Sequence, residues 1–377
     1  MSKPKMQELA EYGQSIWLDY ISRPLLDTGK LKSMIDDGLR GMTSNPSIFN
    51  NAIGASSDYN KEIVRLKKEG RSTFEIYDDL TVKDIQDAAD QFADTYQKTG
   101  GLDGYVSLEI NPLLANKIQE QAKEGKRLFV KVKRPNVMIK VPSTKEGYVV
   151  IEELIANGIN VNATLIFSLE QYESVAKAYI HGLKKCAQHG IDVSKVHSVA
   201  SVFISRIDTA VDKMIEAKFK GCEDELKLKQ LQNLKGKAAV ANSRIIFERS
   251  QQLFSSPEFQ TLAKDGANIQ RVLWGSTSTK NPAYSDVKYV EELITKPTVN
   301  TVPEAALNAF LDHGKVENTF DARLEESKQV LHALAKFDIH MNEVCAELLN
   351  QGCVAFDKAF EELLESLERK AEELAAL

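Results

Sequence analysis

The chain has 377 residues, 43% hydrophobic and 27% charged, with a formal net charge of −6. That balance fits a globular protein with a large core. It argues against general disorder, and it leaves no cationic footprint for nucleic acid or an anionic membrane, so a bound phosphate must be met by a few placed cations. Four cysteines lie scattered without a C-x-x-C pair (Cys186, Cys222, Cys345 and Cys353), the first residues lack a signal-peptide core, and no window approaches the ~18 apolar residues of a membrane span, so the expectation is a cytoplasmic protein with reduced thiols.

Along the chain, a first helix at residues 6–13 precedes a strand and is expected to cap a barrel floor. Strand-like runs follow at 15–21, 41–45, 105–110, 137–142, 160–167, 197–204, 270–276 and 298–302, each with helical periodicity after it. Strands alternating with helices predict a parallel sheet, and about eight units favour closure into a (β/α)8 TIM barrel over an open doubly wound sheet. The helix at 171–189 opens after Ser168, with Glu170 and Gln171 early in its first turn, and stops at Gly190. Another, at 305–311, follows Pro303 and ends near Gly314. Residues 129–133 (Phe129-Val130-Lys131-Val132-Lys133) alternate as a strand would, and no function is assigned to them. From about Glu317 the chain turns helical and charged, with Leu363, Leu364 and Leu367 on one face. Too few heptads are visible for a coiled coil, so this segment is predicted to pack as an amphipathic helix on the barrel wall. With no repeat or flexible linker, residues 1–377 are expected to form one α/β barrel domain, with 318–377 as a helical extension.

Lys140 stands out, a single amine in Val137-Met138-Ile139-Lys140-Val141-Pro142. Burial disfavours the protonated form, and the free amine forms Schiff bases with carbonyl substrates. The competing reading is an outward-facing strand lysine. Polar residues recur at the ends of the other runs: Asp19, Thr43 with Asn45, Glu109, Asn162 with Thr164, and Ser201 with Phe203 and Arg206. The carboxyl ends of barrel strands open onto the active site, and inward polar groups in such number need a ligand to satisfy them. There is no dinucleotide or Walker glycine loop, no H-E-x-x-H and no histidine spacing for a metal, and His197 reads as a packing residue beside its strand.

Five segments carry a resemblance: Gly41-Met42-Thr43-Ser44-Asn45-Pro46-Ser47, Val106-Ser107-Leu108-Glu109, Met138-Ile139-Lys140-Val141-Pro142, residues 160–168, and Trp274-Gly275-Ser276-Thr277-Ser278-Thr279-Lys280-Asn281-Pro282. In this order, between about Ser15 and Pro303, they resemble the transaldolases of the longer, mainly bacterial subgroup. The resemblance implies a lysine Schiff-base barrel without metal or organic cofactor, working in the pentose phosphate pathway. A dihydroxyacetone unit would pass from sedoheptulose 7-phosphate or fructose 6-phosphate to glyceraldehyde 3-phosphate or erythrose 4-phosphate. By this resemblance Lys140 is the Schiff-base lysine, Asp19 the general acid/base at the C4 hydroxyl, and Glu109 and Thr164 hold a catalytic water. Asn45 and Asn162 bond substrate hydroxyls, Thr43 supports Asn45 or the Asp19 region, and Ser201 orients the dihydroxyacetone end.

Arg206 and Lys280 match the cations that hold the sugar phosphate, with Ser278 nearby. Lysine at 280 replaces the arginine of shorter relatives, and a point charge replaces a planar fork. Asn111 stands where shorter relatives tend to have an acid, and no role is assigned to it. Phe203 favours transfer over the lyase reaction of fructose 6-phosphate aldolases, which resemble one another in carrying tyrosine there. A silent sugar-phosphate-binding barrel is the other alternative, and the joint presence of Lys140, Asp19, Glu109 and Thr164 argues against it. The expected partners are small sugar phosphates, with no nucleic acid or membrane and with a homodimer as the candidate assembly.

Overall fold

The computed structural model describes residues 3–376. Eight parallel strands close into a barrel in chain order: β1 (Gln14–Asp19), β2 (Gly41–Thr43), β3 (Tyr105–Glu109), β4 (Val137–Pro142), β5 (Val161–Ile166), β6 (Ser198–Phe203), β7 (Arg271–Gly275) and β8 (Thr298–Val302). All eight predicted runs contain strands, six of them one or two residues shorter than predicted. The second run stops at Thr43 because Asn45 caps helix Pro46–Ala55, its Oδ1 accepting from the Ile48 amide at 3.0 Å. The helix predicted at 171–189 is Leu169–Gln188 and opens on a reciprocal capping box between Ser168 and Gln171.

The two-residue period of the strands sorts their side chains. Ile16, Leu18, Met42, Leu108, Ile139, Val141, Val161, Ala163 and Val202 face the helices in the main core. Trp17, Tyr105, Met138, Val199, Leu273 and Val299 fill the barrel interior as a separate apolar plug. Gly41 pairs with Trp17 across β1 and β2, and a Cβ on it would lie 2.7 Å from the indole ring, so only glycine fits beside that tryptophan. Beneath the plug, Arg271 pairs with Asp103 at 2.8 Å and donates to Ser15 Oγ at 2.9 Å. His197 is buried there against Tyr105, and burial, with the Arg271 charge second, pushes its pKa down to about 4, as suits a packing residue. The first helix, Lys5–Tyr12, docks at this end, where the Lys5 ammonium donates to the carbonyls of Phe310, Leu311 and Asp312.

Two segments differ from the sequence reading. Residues 129–132 alternate like a strand yet close helix Ile118–Val132, and Lys133 stops that helix in a left-handed conformation at φ 53°. Lys131 instead pairs across to Asp78 and Asp79 on helix Thr73–Gln91, which accounts for a lysine at that place. The C-terminal segment divides into two long helices. Leu324–Lys336 packs on Ala238–Phe254, along the wall. Met341–Ala375 does more: with Leu363 and Leu367 fully buried, it lies against Pro46–Ala55, Asn60–Lys68, Ser205–Phe219 and β5, so it reaches over the carboxyl end of the barrel as well as its flank. Among the described residues, no helix is long and apolar enough to cross a membrane.

Candidate active site

One strand step above the plug, the interior becomes polar. Register brings Asp19 opposite Thr43, Glu109 opposite Lys140, and Lys140 opposite Asn162. A cavity of about 160 Å3 opens at these strand ends, and every residue given a site role from the sequence except Glu109 lines it. Glu109 enters through its neighbour.

Lys140 is only 5% exposed, and it points inward. Its Nζ donates to the Ser44 carbonyl at 2.9 Å and to Glu109 Oε2 at 3.4 Å, and it lies 5.9 Å from the centroid of the Phe356 ring. The sequence suggested an amine among apolar groups. Ile139 and Val141 in fact face the helices, while the amine has a carboxylate and a carbonyl as partners.

Burial raises the proton affinity of Glu109, the Lys140 charge and hydrogen bond pull it back, and the Asp19 charge adds to the rise. Asp19 is raised too, by burial first, against lowering by Lys140, by the Thr43 hydrogen bond and by Lys280. Thr43 Oγ1 donates to Asp19 Oδ1 at 2.7 Å and meets Thr301 Oγ1 at 2.6 Å. Thr43 has one hydroxyl proton, so Thr301 donates in the second contact and the chain runs Thr301 to Thr43 to Asp19.

The other wall is a fixed amide. Ser201 Oγ donates to Asn162 Oδ1 at 2.6 Å, and Asn162 Nδ2 donates to Ser107 Oγ at 3.0 Å. Thr164 follows in β5 just where pairing with β6 shifts register between Ala163 and Ile166, and Leu165 takes φ 60°. Bulges of this kind re-aim side chains beside active sites. The Thr164 hydroxyl is fully buried and has no partner among the described residues.

At the far end, Arg206 rises from the first turn of Ser205–Phe219, with its guanidinium 5.5 Å from the centroid of Phe203. It is half-buried and, among the described residues, has no acidic or hydrogen-bonding partner. Lys280 is exposed and donates to Ser278 Oγ at 2.9 Å.

Four contributors were missed in the sequence. Ser107 and Thr301 were legible in principle, since each lies two residues from an inward side chain of its strand. Ser44 acts through its backbone, which no side-chain pattern reveals. Phe356 comes from the C-terminal helix, more than 200 positions beyond Lys140. Asn111 caps the turn Pro112–Leu114, its Oδ1 accepting from the Leu113 amide at 3.0 Å, which explains it structurally.

Residues 16–367 match the family model described as Transaldolase/Fructose-6-phosphate aldolase. The chain belongs to the transaldolase/fructose-6-phosphate aldolase family. Its relatives include proteins named "Transaldolase" from Trichodesmium erythraeum, 44% identical over 97% of both chains, and "Transaldolase 2" from Nostoc sp., 42% identical over 98% of both. A "Transaldolase" from Saccharopolyspora erythraea is 40% identical over 98% of both. The family match runs from within β1 through β8 and into the C-terminal helix as far as residue 367, so Phe356 lies within it.

Proposed function

We propose that this family member is a transferase of the pentose phosphate pathway. It moves a dihydroxyacetone unit from fructose 6-phosphate or sedoheptulose 7-phosphate to an aldose phosphate, through a Schiff base on Lys140. The observation that carries the reading is the inward Lys140 amine, with Glu109 at 3.4 Å and Asp19 in the same enclosed space.

Lys140 gives a proton to Glu109, whose raised proton affinity suits it as acceptor, and the freed amine attacks C2 of the ketose. The C2 oxygen takes one proton from the attacking nitrogen and one back from Glu109 and leaves as water, and the resulting iminium is an electron sink. Asp19 then takes the C4 hydroxyl proton, the C3–C4 bond breaks, its electron pair enters the enamine, and the aldose phosphate departs. Condensation with an acceptor reverses these steps, water adds back at C2, and the new ketose leaves. Ping-pong kinetics follow from the covalent half-way point.

The unpartnered Thr164 hydroxyl supports its role, with Glu109, in holding the water of these steps. Asn162, fixed by Ser107 and Ser201, presents a rigid amide to the hydroxyls, and Asn45 keeps Nδ2 for substrate while Oδ1 caps its helix. Thr43 is bound to Asp19 and not to Asn45, which supports the acid/base side of its expected role. Arg206 and Lys280, with Ser278, give a dianionic phosphate two cations at the mouth. The lyase reading is disfavoured by Phe203, which offers no hydroxyl at that position, and by the names of the whole-length relatives. Four free cysteines agree with work in the reducing cytoplasm, and a homodimer completes the proposal.

Borohydride added with fructose 6-phosphate should fix a reduced three-carbon adduct on Lys140 and abolish transfer to erythrose 4-phosphate. An adduct on another lysine, or none, rejects the assignment. Light scattering on the purified protein checks the dimer.

A further inference from the structure

Phe356 differs from every other residue around Lys140 in its origin. It comes from helix Met341–Ala375 and not from a strand or the connection after one. Its ring centroid lies 5.9 Å from the lysine nitrogen. The same ring also closes a second, smaller pocket behind Glu109, with room for about one water. Gln121 Oε1 and Asp357 Oδ1 are buried without a partner among the described residues, and both residues line this second pocket. Unpaired buried acceptors draw water. Among the described residues, Phe356 is the one side chain common to both cavities. The helix that carries it is seated tightly: a Cβ on Gly352, one turn before, would lie 2.9 Å from Leu165 Cδ2, and Phe360, one turn after, is fully buried.

We propose that Phe356 is a shielding residue that keeps the water behind Glu109 away from the three-carbon enamine on Lys140, and so sets the partition between transfer and release. The proposal rests on the Schiff-base reading above. Release begins when water protonates the nucleophilic carbon C3 of the enamine, giving an iminium and a hydroxide. Oxygen then adds at C2, the C2–N bond breaks with its electron pair going to nitrogen, and a proton restores the lysine as free dihydroxyacetone departs. One water is consumed overall. Transfer spends the same C3 electron pair on the acceptor aldehyde, so C3 is never protonated in the productive cycle. The water held by Glu109 and Thr164 serves C2, so a wall that keeps a further water from C3 opposes the side reaction while leaving that step intact, and losing the ring would join the two cavities.

The readout is free dihydroxyacetone released per erythrose 4-phosphate converted, with fructose 6-phosphate as donor. Phe356→Ala should raise this ratio about tenfold, a ~1.4 kcal/mol change between the competing barriers. Phe356→Leu should raise it less, and Val354→Ala, at a 66% exposed position of the same helix, should leave it unchanged. In heavy water the released dihydroxyacetone should carry carbon-bound deuterium. A merely structural residue would lower transfer and release together, and an unchanged ratio in either Phe356 variant overturns the proposal. Phe356→Leu decides the matter where Phe356→Ala does not fold. Failure to trap the wild-type adduct on Lys140 would refute the Schiff-base reading, whereas a trapped adduct with an unmoved ratio refutes only the shield.

Discussion

Replacing Arg206 and Lys280 one at a time tests the phosphate end of the cavity, because the structure makes the two cations unequal. Arg206 is half-buried, packed on Phe203 and free of any carboxylate among the described residues, so its donors are available and its field is poorly screened. Losing a charge-assisted hydrogen bond of that kind costs ~1.5–3 kcal/mol, so Arg206→Ala should lower kcat/KM for fructose 6-phosphate about 10- to 150-fold. Lys280 is exposed and already bonded to Ser278, so its contribution should resemble that of a surface pair, up to about 1 kcal/mol or fivefold. Added salt should shrink the Lys280 effect more than the Arg206 effect. Steady-state kinetics on the phosphorylated ketose, repeated with fructose as a donor lacking the phosphate, isolate the contribution: both penalties should vanish for fructose. A larger loss at Lys280 than at Arg206, or an equal loss on fructose, would refute the reasoning.

The pH profile gives another test. The cleavage step needs ionised Asp19, whose pKa burial lifts above the ordinary 3.8, so activity should fall with decreasing pH at values above that of a free aspartate. Thr43→Val removes a hydrogen bond that stabilises the carboxylate, so the acid limb of kcat/KM should move to still higher pH, and a downward shift would contradict the assigned contact. Gly41→Ala places a methyl 2.7 Å from the Trp17 ring and should cost ~1–3 kcal/mol in urea denaturation, with no loss expected if the plug is loose. Leu363→Ala, at a fully buried position of the C-terminal helix, should cost ~2–5 kcal/mol within a single unfolding transition. A separate transition would mean that the extension folds apart from the barrel, against the proposal of one domain.

The barrel was legible because its strands are short, apolar and evenly punctuated, and because inward residues recur at every second position. That alternation also exposed the site: once β4 is a barrel strand, Lys140 must face either the helices or the cavity, and its neighbours Ile139 and Val141 take the helical side. Residues 129–133 show the limit. Five residues of alternation are too few to separate a strand from the end of a helix, and what fixed them was pairing of Lys131 with Asp78 and Asp79, some fifty positions earlier in the chain. The C-terminal helix shows the same limit at larger scale. Its apolar face announced packing, but the site on which that face lands depends on β5 and on the connections after β2 and β6. Phe356 therefore entered the active site without any local sign.

Burying charges around one small cavity explains why the polar residues are distributed as they are. Burial raises the cost of ionising both Asp19 and Glu109, the Asp19 charge adds to it at Glu109, and the Lys140 charge offsets part of it at both. Putting the phosphate cations at the mouth, on the connections after β6 and β7, leaves that balance intact while still letting the Lys280 charge act on Asp19. The raised proton affinity is useful in itself. An alcohol holds its proton far more tightly than an ordinary carboxylic acid, so a carboxylate made more basic by burial narrows that gap when the C4 hydroxyl is deprotonated. Burial strong enough to keep Asp19 protonated would abolish the base. Thr43, backed by Thr301, and the two lysines hold the carboxylate between these extremes, and so Thr301→Val should weaken cleavage although Thr301 lies one hydroxyl away from the acid. It should lower kcat and shift the acid limb upward, as Thr43→Val does but less. A profile identical to wild type would show that the hydroxyl chain ends at Thr43.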